Sequence, residues 1–216
     1  MPLAVAIIPV TPFEQNCALV WDETTRRGVV IDPGGDVAAI RDAIAQHGVL
    51  VDKIVLTHGH LDHAGGATEL AEALSVPVLG PGIEDAPLLA ALPEQGARFG
   101  LTGLRAVQPT RYLAEGETIT IGEESFDLWH CPGHTPGHLV FTSVSLGIAF
   151  VGDVIFQGSV GRTDFPYGDG AALVHAIRTK LFPLGDDIAF LCGHGPGSSF
   201  GVERRTNPYC GDAAAG

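Results

Sequence analysis

Thr57-His58-Gly59-His60-Leu61-Asp62-His63 is the stretch on which the reading of this chain turns. Imidazole and carboxylate are the ligands that zinc and iron prefer. His58 and His60 stand two apart, so an extended loop throws both rings to one side. Asp62 and His63 follow at the turn into a helix, where they can face a second ion. The string is internal. It follows a strand pattern at Lys53–Leu56 and precedes a helical one through about Ala64–Leu74, with Leu70 and Leu74 four apart. That placement sets it apart from a His-rich solvated loop or a purification tag.

Three further candidates lie elsewhere in the chain. His134 sits in Cys131-Pro132-Gly133-His134-Thr135-Pro136-Gly137-His138, after a strand ending at His130. Asp153 follows Ile148-Ala149-Phe150-Val151 through Gly152, and His194 follows Phe190-Leu191-Cys192 through Gly193. Each stands just beyond the end of an apolar strand, where a sheet holds the ligand while the loop stays open to substrate. Neighbouring glycines permit close approach. A single buried His or post-strand Asp is more often structural. Four such places in one chain shift the weight to a metal centre.

The rest of the chain reads as strands, turns and helices in alternation. Apolar runs Ala4–Pro9, Ala18–Trp21 and Val29–Ile31 are bounded by turn residues. Asp32-Pro33-Gly34-Gly35 breaks the third. Asp36 then reads as an N-cap for a helix burying Val37, Ile40 and Ile44, with Gly48 as its stop. Val76–Leu79 reads as a strand, and residues 80–116 give no clear pattern beyond a short helix near Ala86–Leu92. Strands are expected at Thr118–Ile121, Ser125–His130, His138–Thr142, Ile148–Val151 and Ile188–Cys192, with a helix over Gly170–Leu181. Such alternation suggests an α/β architecture of mixed sheets covered by helices. No linker divides the 216 residues, so one domain over 1–216 is expected, with residues 211–216 frayed.

Composition narrows the function. Twelve Lys plus Arg against 25 Asp plus Glu give a charge of −13, which disfavours a nucleic-acid partner. No apolar run is long enough to span a membrane, and Met1–Pro9 lacks the basic residues of a signal peptide. Cys17, Cys131, Cys192 and Cys210 are scattered without a C-x-x-C pair, which fits a reducing, cytoplasmic setting. Oligomeric state is left open between monomer and homodimer.

Taken together, these motifs resemble the metallo-β-lactamase superfamily over essentially the whole chain. The short, single-domain glyoxalase II-like (hydroxyacylglutathione hydrolase-like) group is the most similar. The resemblance implies a four-layer αββα sandwich with a binuclear site at one edge. It implies that His58, His60 and His134 hold one divalent ion, that Asp62, His63 and His194 hold the other, and that Asp153 bridges them. Zinc is the first expectation, with iron or manganese compatible. His138 is expected to fix its loop rather than to ligate. Asp32 either supports the metal-binding loop or is a plain turn residue. His47, His130 and His175 read as ordinary core or surface residues, and Cys131 and Cys192 as small packed ones.

The implied reaction is hydrolysis of a thioester, S-D-lactoylglutathione or a related hydroxyacyl thioester, by a metal-bridging hydroxide. Asp62 or Asp153 would also orient the nucleophile. Larger glyoxalase II enzymes grip glutathione partly through a C-terminal helical domain, for which about twenty residues after His194 leave no room. Gly158–Pro166 matches the segment that supplies a Lys and a Tyr in those enzymes. Arg162 falls at the Lys, where it either meets a substrate carboxylate or pairs with Asp164, which replaces the Tyr. Tyr167 is expected to line the pocket, and Glu203–Tyr209 to dock on the domain, helping to define the pocket or a dimer contact.

Rival readings remain. A persulfide dioxygenase of the same superfamily would use His58, His134 and Asp153 around one iron. A non-catalytic, metal-stabilised binding protein is a third. A true β-lactamase conflicts with a cytoplasmic setting.

Overall fold

Residues 3–215 are described by a computed structural model. Met1, Pro2 and Gly216, which belong to the expected N-terminal segment and tail, lie outside the described residues. The first sheet has the order β1 (Leu3–Val10), β2 (Gln15–Asp22), β3 (Arg27–Ile31), β4 (Leu50–Val55), β5 (Val78–Leu79). Its first three strands are antiparallel, and β3, β4 and β5 run parallel through helical crossovers. Those crossovers are α1 (Val37–His47) and the pair α2 (Leu61–Ala64) and α3 (Ala67–Leu74). The second sheet contains β6 (Thr118–Ile121), β7 (Glu124–His130), β8 (Leu139–Ser143), β9 (Ile148–Gly152), β12 (Ala189–Cys192) and β13 (Ser198–Ser199), in the order β13-β12-β9-β8-β7-β6. A small hairpin, β10 (Ile155–Phe156) with β11 (Ser159–Val160), follows β9.

Side-chain alternation on the central strands explains the layering. In β2, Ala18 and Val20 face one way, and Cys17, Leu19 and Trp21 the other. Both sets are buried. The first set meets Val29, Ile31 and Val55 of its own sheet, and Phe126, Leu128, Phe141 and Phe150 of the second. The other set packs with Ile40 and Ile44 of α1 and Leu70 of α3. Leu89 and Leu92, from α4 (Ala86–Ala90) and α5 (Leu92–Arg98), join that outer layer. On the far side, Val140, Ala149 and Val151 back onto Leu173 of α6 (Gly170–Ala176) and Phe200 of α7 (Phe200–Thr206). Helices thus cover both outer faces of two stacked sheets, the expected αββα sandwich.

Strand direction gathers the candidate ligands. β7 and β9 are each antiparallel to β8, and β9 is parallel to β12, so β7, β9 and β12 end at the same edge. Parallel β3 and β4 end together in the facing sheet. The loops after these five strands carry Asp32, His58, His60, His134, Asp153 and His194.

Several local expectations need correction. The helix expected over Ala64–Leu74 is broken at Gly65-Gly66, where Gly66 donates its N–H to Pro33 O and a β-carbon would crowd that carbonyl. Asp36 precedes α1 but is left-handed (φ 47°) and makes no side-chain cap. Its carboxylate accepts the Thr11 N–H at 2.7 Å instead, tying α1 to the β1–β2 turn. Gly170–Leu181 is α-helical only to Ala176 and finishes as a π-helical turn. Residues 86–92 belong to two helices rather than one.

The segment after His194 docks as expected. Glu203, 1% exposed, accepts from Gly158 N at 2.8 Å, Ser198 Oγ at 2.5 Å and Asn207 Nδ2 at 2.9 Å. Arg178 donates to the carbonyls of Cys210 and Gly211, and Asp212–Ala215 form a 3₁₀ turn. No helix among the described residues is long and apolar enough to cross a membrane.

Candidate metal centre

His58 Nε2 lies 3.1 Å from His60 Nδ1, which lies 3.0 Å from His134 Nε2. Bonds on the far sides of two of these rings decide their tautomers. Thr57 donates its hydroxyl to Asp32 Oδ2 at 2.6 Å, so its oxygen accepts from His58 Nδ1 at 3.0 Å. His134 Nδ1 donates to Arg162 O at 2.9 Å. His58 Nε2 and His134 Nε2 therefore present lone pairs to a common point beside His60. Burial, with the neighbouring imidazoles, pushes His58 well below the usual range. Burial likewise lowers His134, and takes His60 down to about 3. Neutral imidazole is the form that binds a cation.

A second set converges alongside. His63 Nδ1 donates to Asp32 Oδ2 at 2.8 Å, and His194 Nδ1 to Phe13 O at 3.2 Å. Their Nε2 atoms turn inwards. His194 Nε2 stands 3.1 Å from Asp62 Oδ2 and 3.6 Å from Asp153 Oδ2. His63 Nε2 faces Asp153 Oδ1 at 3.3 Å and Asp62 Oδ2 at 3.8 Å. Asp153 Oδ2 reaches the first set as well, 3.5 Å from His134 Nε2. One carboxylate thus stands between two clusters, in each of which the donor atoms lie within 4.8 Å of one another.

These donors fit metal ions. His63 Nε2 and Asp153 Oδ1 are buried and have no hydrogen-bond partner among the described residues. Two lone-pair atoms face each other across 3.3 Å, an arrangement that needs a positive charge. Without an ion, protonation supplies it. Burial opposes a charge on His63, yet Asp153 and Asp62 raise it well above the ordinary value. Burial would also lift the Asp153 carboxyl, and His63, with His134 and His194, holds it far below the usual range. Glycine keeps the space open, since a β-carbon on Gly193 would strike Asp153 Oδ1 and His63 Cε1.

His138 does not present a nitrogen to either cluster. Its Nε2 accepts the Asp153 N–H at 3.0 Å, which ties it to the residue between the clusters. The Asp32 carboxylate, 3% exposed, accepts from Thr57 and His63. Tyr167 places its hydroxyl 2.9 Å from His60 Nε2 and stacks on Phe165, whose ring is 4.9 Å from His60. Arg162 is engaged by Asp164 through Nε–Oδ1 and Nη2–Oδ2, both 2.7 Å, with its guanidinium 4.5 Å from the Phe165 ring centre. Sequence reasoning missed Asp85, Gln95 and Thr57. Gln95 spans the metal loop, accepting from Leu61 N and donating to Gly59 O.

All four cysteines are unpaired and buried. Burial pushes Cys131 and Cys210 up to about 12 and Cys192 to about 11, with Cys17 also well above its ordinary value. At pH 8 a thiol like Cys192 is about one part in a thousand thiolate. None of the four is expected to react with a soluble disulfide reagent within minutes in the folded protein, and all four after unfolding. One thiol reacting at the rate of free cysteine would contradict this.

Comparison with known proteins agrees with this geometry. Residues 10–194 match the family described as the Metallo-beta-lactamase superfamily. Hydroxyacylglutathione hydrolase GloC of Haemophilus influenzae is 45% identical over 206 residues, covering 95% of this chain and 97% of that protein. The crystal structure of BLEG-1 B3 metallo-beta-lactamase is similar with a TM-score of 0.88 and 31% identity, over 96% of this chain and 99% of that one. TTHA1623 in a di-iron-bound form is similar with a TM-score of 0.86 and 36% identity, over 95% and 100%.

Proposed function

This chain belongs to the metallo-beta-lactamase superfamily, and from that premise we propose that it is a metal-dependent thioester hydrolase acting on S-D-lactoylglutathione or a related hydroxyacyl thioester. The observation that carries the reading is the pair of donor clusters with Asp153 between them. The 45% identity to a hydroxyacylglutathione hydrolase supports the choice of substrate. In this reading His58, His60 and His134 hold one divalent ion, and Asp62, His63 and His194 the other, with Asp153 serving both. Zinc is the first candidate, and iron or manganese suit the same donors. Four unpaired cysteines support a reducing, cytoplasmic setting.

Two such ions, when bound, bring the pKa of water toward about 7 and stabilise charge growing on a carbonyl oxygen. The residues of the chain do the rest. Asp62 and Asp153 orient the attacking water. Thr57, Arg162 O, Asp32 and Phe13 O hold the imidazole tautomers with lone pairs inwards. With His60 Nδ1 facing the centre, its Nε2–H donates to Tyr167, which leaves the phenol proton free for a substrate oxygen. A thiolate is a good leaving group, so no side chain need act as general acid. The single-iron alternative leaves His60, Asp62, His63 and His194 without a ligand role.

The deciding experiment measures metal in the purified protein and then assays a panel: S-D-lactoylglutathione, other hydroxyacyl thioesters, a β-lactam, and oxygen uptake with glutathione persulfide. Thioester hydrolysis with two metals per chain is expected. Two bound metals with no thioester hydrolysed would defeat the function, and oxygen uptake with one iron would install the dioxygenase. The Arg162–Asp164 pair makes a finer test. A substrate carboxylate must compete with Asp164, so Asp164→Ala should lower KM for lactoylglutathione, and Arg162→Ala should raise it. Each change should be about 2–5-fold with kcat little altered, the worth of an exposed ion pair. KM unmoved in both variants removes Arg162 from the substrate site.

A further inference from the structure

We propose that Asp85, at the foot of α4, is a positioning residue that locks the His58–His60 loop to the His134–His138 loop and so sets the geometry of the first donor cluster. Its carboxylate is fully buried and takes three bonds from two loops. Gly59 N, between His58 and His60, donates to Oδ2 at 2.8 Å. Thr135 Oγ1, next to His134, donates to the same oxygen at 2.7 Å. Gly137 N, next to His138, donates to Oδ1 at 2.6 Å. The two loops are more than seventy residues apart in the chain, and one side chain holds both.

Other contacts make the same seam. Gly82 donates its N–H to Gly137 O at 2.9 Å. A β-carbon on Gly59 would come within 2.8 Å of Leu88 Cβ, and one on Gly137 within 2.7 Å of Asp85 N. Glycine at both places lets the ligand loops close on the 82–88 segment. The effect reaches Asp153 too, because Gly137 precedes His138, whose Nε2 accepts the Asp153 N–H. Partners behind metal ligands typically govern metal affinity by about 10–100-fold, and Asp85 is placed to do so for His58, His60 and His134 together.

This inference rests on the metal-centre reading, and the test separates the two. Apo-protein is titrated with Co(II), reading affinity and the visible absorption of the bound ion. Asp85→Asn keeps the shape but turns one acceptor oxygen into an NH₂ donor facing backbone N–H or hydroxyl donors. It should bind Co(II) about 10–100-fold more weakly, with an altered spectrum. Thr135→Val, which removes one of the three donors, should change both in the same direction by less. A melting temperature lowered in both variants, with affinity and spectrum unchanged, would overturn the proposal and leave Asp85 a structural residue. If Asp85→Asn does not fold, Thr135→Val decides on the same readout. Wild-type protein that takes up no Co(II) would sink the metal centre and the proposal with it.

Discussion

Asp153→Asn is expected to strip the protein of metal and activity together. The carboxylate oxygens stand 3.3 Å from His63 Nε2, 3.5 Å from His134 Nε2 and 3.6 Å from His194 Nε2, so both clusters share its charge. Asparagine fits the same space, and the His138 Nε2 bond to the residue 153 N–H survives, because it uses only the backbone of residue 153. What changes is the centre itself. One oxygen becomes a donor that cannot bind a cation, and the net negative charge between five imidazoles falls by one. Loss of kcat/KM on the order of 10³-fold or more, about 4 kcal/mol of transition-state stabilisation, should accompany metal loss. Elemental analysis and steady-state kinetics on one preparation test it. Full metal occupancy with full activity in Asp153→Asn would remove this residue from the centre.

How much of this was legible in the sequence depended on how local each signal was. His58, His60, Asp62 and His63 declare themselves in seven residues. His134, Asp153 and His194 are single residues, yet each follows an apolar strand, and strand ends are readable because strands alternate and stop at glycine. Mixed sheets covered by helices were readable from the alternation of strand and helix patterns, whereas the αββα layering came from the family resemblance. Failures came where a distant partner overrode a local preference. Asp36 has the composition of an N-cap, but the Thr11 N–H takes its carboxylate. Gly65 and Gly66 look tolerable inside a helix until the Pro33 carbonyl occupies the space beside Gly66. Asp85 and Gln95 lie in the segment with no periodic pattern. Their bonds to Gly59 and Leu61 span more than twenty-five residues, and spacing says nothing about them.

Asp32 carries the second large effect, this time on the fold as well as the site. Thr57 N donates to Oδ1 at 2.7 Å, while Thr57 Oγ1 and His63 Nδ1 donate to Oδ2 at 2.6 and 2.8 Å. All three donors are buried, and the residue is left-handed at φ 53°. Asp32→Ala removes the acceptors and places alanine where L-residues are strained. Asp32→Asn separates these causes, because asparagine accepts the left-handed backbone. It still leaves an NH₂ group opposed to a buried donor. Leaving a buried donor unpaired costs about 1–3 kcal/mol. Asp32→Asn is expected to lose roughly that in urea unfolding of the metal-free protein, and Asp32→Ala more. Metal affinity should fall about 10–100-fold as His63 loses the partner that aims its Nε2. A metal-free Asp32→Asn protein as stable as wild type would mean that Thr57 and His63 find other acceptors. Asp32 would then be the plain turn residue that its Asp-Pro-Gly-Gly setting also allows. The drop in metal affinity distinguishes the two roles independently of stability, because a turn residue has no means of reaching the His63 ring.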